Sequence, residues 1–163
     1  MTSMTGGFHA IAYVSRIARR LQPAEIDGLL LDARGFNAVA GVTGVLLFNG
    51  SEFFQYFEGL NDSVEAVYER IKPAKCHTDI RELMNAPVEG RQFETWHMGF
   101  RNAPATALQE LAQARWELSV PVTRTSMKCP EGVALLAHFW SKWQAENPRD
   151  WQAYDRSDLE GGE

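Results

Sequence analysis

Three polar residues stand inside otherwise apolar stretches: Tyr13, Asn37 and Gln55. A phenol can release a proton, and a carboxamide carries an acceptor oxygen and a donor NH2 in one plane. Brought together, one phenol and two amides suit a planar heterocycle with C=O and N–H edges, held between apolar walls. A phenol beside such a ring can also give it an electron and a proton if the ring is excited. Each residue has an ordinary reading as well. Gln55 could be satisfied by neighbouring backbone, since a buried amide without partners costs about 1–3 kcal/mol. Asn37 could be a turn residue, and Tyr13 a buried phenol with a hydrogen-bond partner.

Other chemistries find no support in the spacing. His9, His77, His97 and His138 lack metal-ligand spacing to another His or Cys, so no metal is expected. Cys76 and His77 are adjacent, which is poor geometry for a nucleophile and its base. There is no Walker-type or G-x-G-x-x-G loop. Gly41-Val-Thr-Gly44 is too short to cradle a phosphate, and glycines beside a hairpin are more often bulges.

The elements that must position these residues centre on Val42–Gly59. Asn49-Gly50 between two apolar runs predicts a hairpin with a type I′ turn, its strands Val42–Phe48 and Glu52–Glu58. A period of two puts Phe53, Gln55 and Phe57 on one face and Phe54, Tyr56 and Glu58 on the other. Phe8–Ser15 reads as a first strand, with Ile11, Tyr13 and Ser15 on one face and Ala10, Ala12 and Val14 on the other. Both faces are largely apolar, so both need a cover. A helix follows Pro23, with Ile26, Leu29, Leu30 and Ala33 as its stripe and Gly35 as its left-handed end. Asn37 then sits at the helix exit. A second helix, capped by Asn61 or Asp62 in a capping-box variant with Glu65, carries Val64, Val67, Tyr68 and Ile71 and stops at Pro73. Asp79–Ala86 and Trp96–Phe100 are the fourth and fifth strands. The order β-α-β-β-α-β-β predicts an α+β, ferredoxin-like sheet with both helices on one face. Helices over Pro104–Trp116 and Val133–Glu146 should cover the other face. The second of these carries a broad aromatic stripe of Leu136, Phe139, Trp140 and Trp143, with Trp116 and Trp151 in the same third of the chain; its rival reading is a partner-binding patch. The acidic tail Asp155–Glu163 is expected to be disordered.

The totals narrow the function. At 163 residues, 45% hydrophobic and 23% charged, the composition suits one globular domain. A net charge of −5 argues against nucleic acid as the main partner. No apolar run is long enough to span a membrane. Met1–Gly7 lacks the regions of a secretory signal. Two cysteines, Cys76 and Cys129, are expected reduced, which points to the cytoplasm.

Four pieces then coincide: Tyr13-Val-Ser15; Asn37 with Val42-Thr-Gly-Val-Leu-Leu47; Phe53-Phe-Gln-Tyr-Phe-Glu-Gly59; and Phe93-Glu-Thr-Trp-His-Met-Gly-Phe100. In this order and spacing, across residues 8–101, the chain resembles the BLUF family, blue-light sensors using flavin. The resemblance implies a flavin between the two helices, with Tyr13 as electron and proton donor. Gln55 would be the amide that rearranges its hydrogen bonds, and Asn37 would hold the flavin's polar edge. Trp96 and Met98 would be the mobile pair on the fifth strand that reports the change, with Leu29, Phe53 and Ile71 against the ring. His77 matches a family histidine, but Ala74 and Cys76 replace charged positions beside it. Members often carry Ser where Ala33 stands and a polar residue where Phe36 stands. These departures concern the phosphate and ribose contacts, so FMN or riboflavin stands beside FAD as cofactor.

The expected function is a short, stand-alone photoreceptor, not an enzyme. Residues 8–101 would form the flavin-binding domain, and residues 102–163 a helical cap with an acidic tail. Its partner would be an effector protein or another copy of itself in a homo-oligomer. The alternatives are a small flavin-dependent oxidoreductase, for which no nicotinamide site is evident, and a ferredoxin-like interaction module without flavin.

Overall fold

The computed structural model describes residues 7–93, 97–116 and 131–146. Five strands form one sheet in the order β4-β1-β3-β2-β5. They are β1 (Phe8–Ile17), β2 (Thr43–Phe48), β3 (Glu52–Leu60), β4 (His77–Val88) and β5 (Gly99–Asn102). The first four pair antiparallel, and β5 joins the edge parallel to β2. Helices α1 (Pro23–Ala40) and α2 (Asn61–Ile71) are the crossovers between β1 and β2 and between β3 and β4. This is the ferredoxin-like α+β arrangement with a fifth strand.

The alternation along β1 and β3 settles the two faces. Ile11, Tyr13 and Phe57 pack with Val64, Val67 and Tyr68 of α2, and Phe53 packs with Leu30 of α1. Ala10, Ala12, Phe54 and Tyr56 join the opposite core. There α3 (Ala105–Gln113) contributes Ala107, Leu108 and Leu111, while α4 (Glu131–Glu146) contributes Val133, Leu136, Trp140 and Trp143. The C-terminal helices are thus the cover that the second face needs.

Several expectations are corrected. Gly35 does not end α1; the helix runs on through Asn37 to Ala40, and Gly41 at φ 76° is its left-handed cap. Asn37 therefore lies in the last turn, its carbonyl accepting from Gly41 and, at 2.9 Å, from Val42. This cap, rather than a bulge, is the use of the first glycine in Gly41–Gly44. Neither Asn61 nor Asp62 caps α2: its N-cap is Leu60, without a side-chain cap bond. Asp62 still lies in the first turn, where the helix dipole favours a negative charge.

The hairpin turn is not type I′, since Gly50 alone of its two central residues has positive φ. Asn49 instead turns its side chain inward, with Oδ1 accepting from Ser51 N–H at 2.9 Å and Glu52 N–H at 2.8 Å. The fourth strand is longer than predicted. The fifth is shifted toward the C-terminus, because residues 97 and 98 are held by α1 side chains and not by a strand ladder. Trp96, Cys129, Trp151 and the acidic tail lie outside the described residues.

Candidate functional site

The site starts from the pairing of β1 with β3, which sets Tyr13 opposite Gln55. Both side chains point toward α1 and α2, and the Tyr13 hydroxyl donates to Gln55 Oε1. Gln55 Nε2 in turn donates to Met98 Sδ at 3.4 Å. The result is a buried chain of phenol, amide and thioether running from β1 through β3 to the residue before β5. The Gln55 amide is thus met by side chains and not by neighbouring backbone. A thioether is a weak acceptor, so the amide hydrogen bond made there is one that a ligand carbonyl can replace with a stronger one.

These residues open onto a cavity of about 250 Å³ between the two helices. That is just below the roughly 300–1,000 Å³ common for ligand sites. Leu29, Leu30, Leu46, Phe53 and Ile71 give apolar walls, and Asp32, Arg70, Ala74 and Cys76 lie along the rest of its lining. Arg70 Nη2 stands 3.8 Å from Asp32 Oδ2, linking α2 to α1, and its guanidinium lies 4.6 Å from the Phe36 ring centroid. Both partners of that ion pair are solvent-exposed, so it adds little stability. Apolar walls with donors and an acceptor at one end fit a planar heteroaromatic cofactor.

Burial pushes the Tyr13 hydroxyl far above the ordinary phenol range, with the Cys76 thiol and Tyr68 adding to it. The phenol is therefore held neutral, with its proton shared toward Gln55. Its ring lies 6.1 Å from Tyr68 and 5.9 Å from His77. His77 is fixed at both nitrogens. Nε2 is 3.0 Å from Ile71 O, and a carbonyl can only accept, so Nε2 carries the hydrogen there. Nδ1 faces Ser15 Oγ at 2.8 Å.

Tyr13, Leu29, Phe53, Gln55, Ile71, His77 and Met98 thus line one cavity. Asn37 is not part of that lining. It is buried, and its Nδ2 donates to His97 O at 2.7 Å. Arg34, unanticipated from the sequence, donates from Nε to Met98 O at 2.9 Å. Its spacing of three from Asn37, one helix face, is the signal that could have found it. Among the described residues no cluster of three His, Cys, Asp or Glu could hold a metal ion, and no helix is long and apolar enough to cross a membrane.

Comparisons with known proteins agree with this geometry. Residues 8–99 match the family described as BLUF, sensors of blue-light using FAD. The blue light- and temperature-regulated antirepressor BluF of Escherichia coli (strain K12) is 35% identical over 83 residues, 51% of this chain and 21% of that protein. The photoactivated adenylate cyclase subunit beta of Euglena gracilis is 30% identical over 83 residues, 51% of this chain and 10% of that protein. The chain thus matches only a minor part of these relatives' length. Among solved structures, the dark state of BlrB, a BLUF protein, aligns at TM-score 0.65 and 25% identity, over 85% of this chain and 98% of that one. Klebsiella pneumoniae BlrP1 with FMN and cyclic diGMP aligns at TM-score 0.55 and 32% identity, over 58% of this chain and 26% of that one. A family match across more than half of the chain, laid over a cavity whose polar end is Tyr13 and Gln55, makes this protein a member of the BLUF family of flavin-binding blue-light sensors.

Proposed function

We propose that the protein is a blue-light photoreceptor in which Tyr13, Gln55 and Met98 convert photon absorption into a rearranged hydrogen-bond network. The observation that carries this reading is the continuous buried chain from the Tyr13 hydroxyl through the Gln55 amide to Met98 Sδ, facing the cavity. Bound flavin, once excited by blue light, supplies a strong one-electron oxidant. Leu29, Phe53 and Ile71, which line the cavity, would hold its ring by apolar contact and exclude water. His77, fixed by Ser15 and the Ile71 carbonyl, walls the same cavity beside Tyr13. Asn37 keeps the polar edge in place, together with the His97 backbone that it fixes.

Tyr13 would give up an electron to that oxidant and its hydroxyl proton toward Gln55 Oε1, to which it already donates. Return of both leaves the Gln55 amide rotated or tautomerised, so that its donor no longer rests on Met98 Sδ. Met98, with Trp96 as its mobile companion, then reports the change. No substrate is turned over.

The cofactor is read as FAD, with FMN or riboflavin as alternatives, because Ala74 and Cys76 leave Arg70 as the cation lining the cavity. Residues 8–101 act as the flavin-binding unit and residues 102–163 as a helical cap that passes the signal on. The recipient is an effector protein or a second copy in a homo-oligomer, in the cytoplasm. The deciding experiment is the absorption spectrum of the purified protein before and after blue illumination. A flavin band that shifts to the red and recovers in the dark is expected. A colourless protein, or a bound flavin that never shifts, overturns the reading.

A further inference from the structure

Among the described residues, the sheet face away from the cavity buries one carboxylate in a largely apolar core. Glu58 follows Gln55 by three residues on β3, points the other way and is fully buried. Its Oε2 accepts from the backbone N–H of Gln92 at 2.6 Å and of Phe93 at 2.7 Å, and its Oε1 accepts from the Tyr56 hydroxyl at 2.9 Å. Arg91 closes the same segment from outside. It donates from Nη1 to Thr43 Oγ1 at 2.9 Å and to Glu58 O at 3.4 Å, and from Nη2 to Gly41 O at 2.8 Å. Burial raises the Glu58 carboxyl above its usual range, against the pull of these bonds and of Arg91. A buried charge is weak evidence for stability, since apolar groups of similar volume often do as well. Its value here lies in where it holds the backbone.

That position matters because residues 91–93 lead into the stretch that carries Met98. The far end of the stretch is held by α1, through Asn37 on His97 O and Arg34 on Met98 O. Three residues separate Phe93 from His97, and each extended residue reaches only about 3.3–3.6 Å. Phe93 also sets its ring edge-on against Trp140 of α4, with centroids 5.8 Å apart. A Cβ on Gly99 would fall 2.7 Å from that same indole. One tryptophan of the cap therefore touches both ends of the stretch.

We propose that Glu58 and Arg91 are positioning residues that set where Met98 meets Gln55: Glu58 clamps the amides of residues 92 and 93, and Phe93, packed on the same Trp140 that lies over Gly99, hands that register on to Met98. The inference rests on the photoreceptor reading, in which the Gln55–Met98 contact is what light alters.

The test compares variants of the full chain, with flavin added and without. Glu58→Met removes the acceptor at similar volume. Glu58→Gln keeps an acceptor oxygen and should rescue. Tyr56→Phe removes a bond to the same carboxylate but leaves the amide clamp. If Glu58→Met fails to fold, Arg91→Met releases the segment from its outer side. Hydrogen exchange in the dark should rise about tenfold at residues 97–99 in the Met variants, and stay near the parent value in Glu58→Gln and Tyr56→Phe. The rate of dark recovery after illumination should follow the same division. Exchange that rises at residues 92–93 alone, or equally in all variants, overturns the inference. If the parent shows no light-induced shift, the photoreceptor reading fails, and the dark exchange comparison still decides whether Glu58 positions Met98.

Discussion

The two faces of the sheet use the same strands and are built to opposite ends. Toward α3 and α4, the inward residues of β1, β2 and β3 meet Leu111, Trp116, Leu136 and Trp140 in a dense core. Phe54 lies 5.5 Å from Trp116, and Phe93 lies 5.8 Å from Trp140. Toward α1 and α2, the alternate residues of β1 and β3 include Tyr13, Ser15 and Gln55, and a cavity of about 250 Å³ remains beside them. Filling space with carbon stabilises the first face. The second gives up that packing to keep an amide and a phenol aligned beside an opening. Binding energy from a ligand would return some of the lost stability, because a ligand that binds only the folded state shifts the equilibrium toward it.

The largest effect should come from stripping the packed face. Ending the chain after Arg101 exposes Ala10, Val45, Leu47, Phe54 and Tyr56 together. The shortened protein should still bind flavin but aggregate or change its assembly state on size-exclusion chromatography with light scattering. A monodisperse short form with an unchanged melting temperature would erase the contrast between the faces. On the cavity face, Gln55→Leu should leave the fold and flavin binding intact while abolishing the reversible shift in the light-minus-dark spectrum. A normal red shift in that variant would remove Gln55 from the mechanism.

Tyr13→Phe is a smaller structural change, costing about 1 kcal/mol for one hydroxyl bond. Its photocycle should stop and its flavin fluorescence rise, which steady-state emission can measure. Unchanged photoconversion would pass the donor role to another residue, with Trp96 first in line. The smallest effect concerns pH. The folded Tyr13 hydroxyl is held above its ordinary value by burial, while the unfolded phenol titrates near 10. Its raised value contributes stability in full below about pH 10, and that contribution is lost as the pH rises further. Urea melts at about pH 9 and pH 11 should therefore show a steeper loss for the parent than for Tyr13→Phe.

The division between the faces was legible in the sequence because a period of two is a local property of β1 and β3. The cavity residues were legible largely through the family resemblance; the spacing alone offered Tyr13, Asn37 and Gln55 with ordinary alternatives. What depended on distant contacts was not legible. Gly35 resembles a helix end in composition, yet α1 continues past it, and the turn cap falls to Gly41 six residues later. Asn49-Gly50 marked the turn correctly, but the Asn49 side chain, by capturing two backbone amides, selected another turn geometry. The limits of β5 follow from what α1 and β2 offer it, and no pattern within residues 96–102 reports that. Glu58, Arg34 and Arg91 act on backbone some thirty to sixty residues away in sequence, so spacing carried no trace of their partners.

The parallel pairing of β5 with β2 has a consequence for the order in which the molecule assembles. The β2–β3 hairpin closes over a few residues, whereas Val45 must find Gly99 across a long intervening chain. Loop-closure entropy makes such a contact late to form. The strand is also only four residues long and lies at the sheet edge. Last in and lightly tied, it should be among the first elements to open when the native state fluctuates. The strand next to Met98 should therefore exchange its amide hydrogens before the central strands of the sheet do.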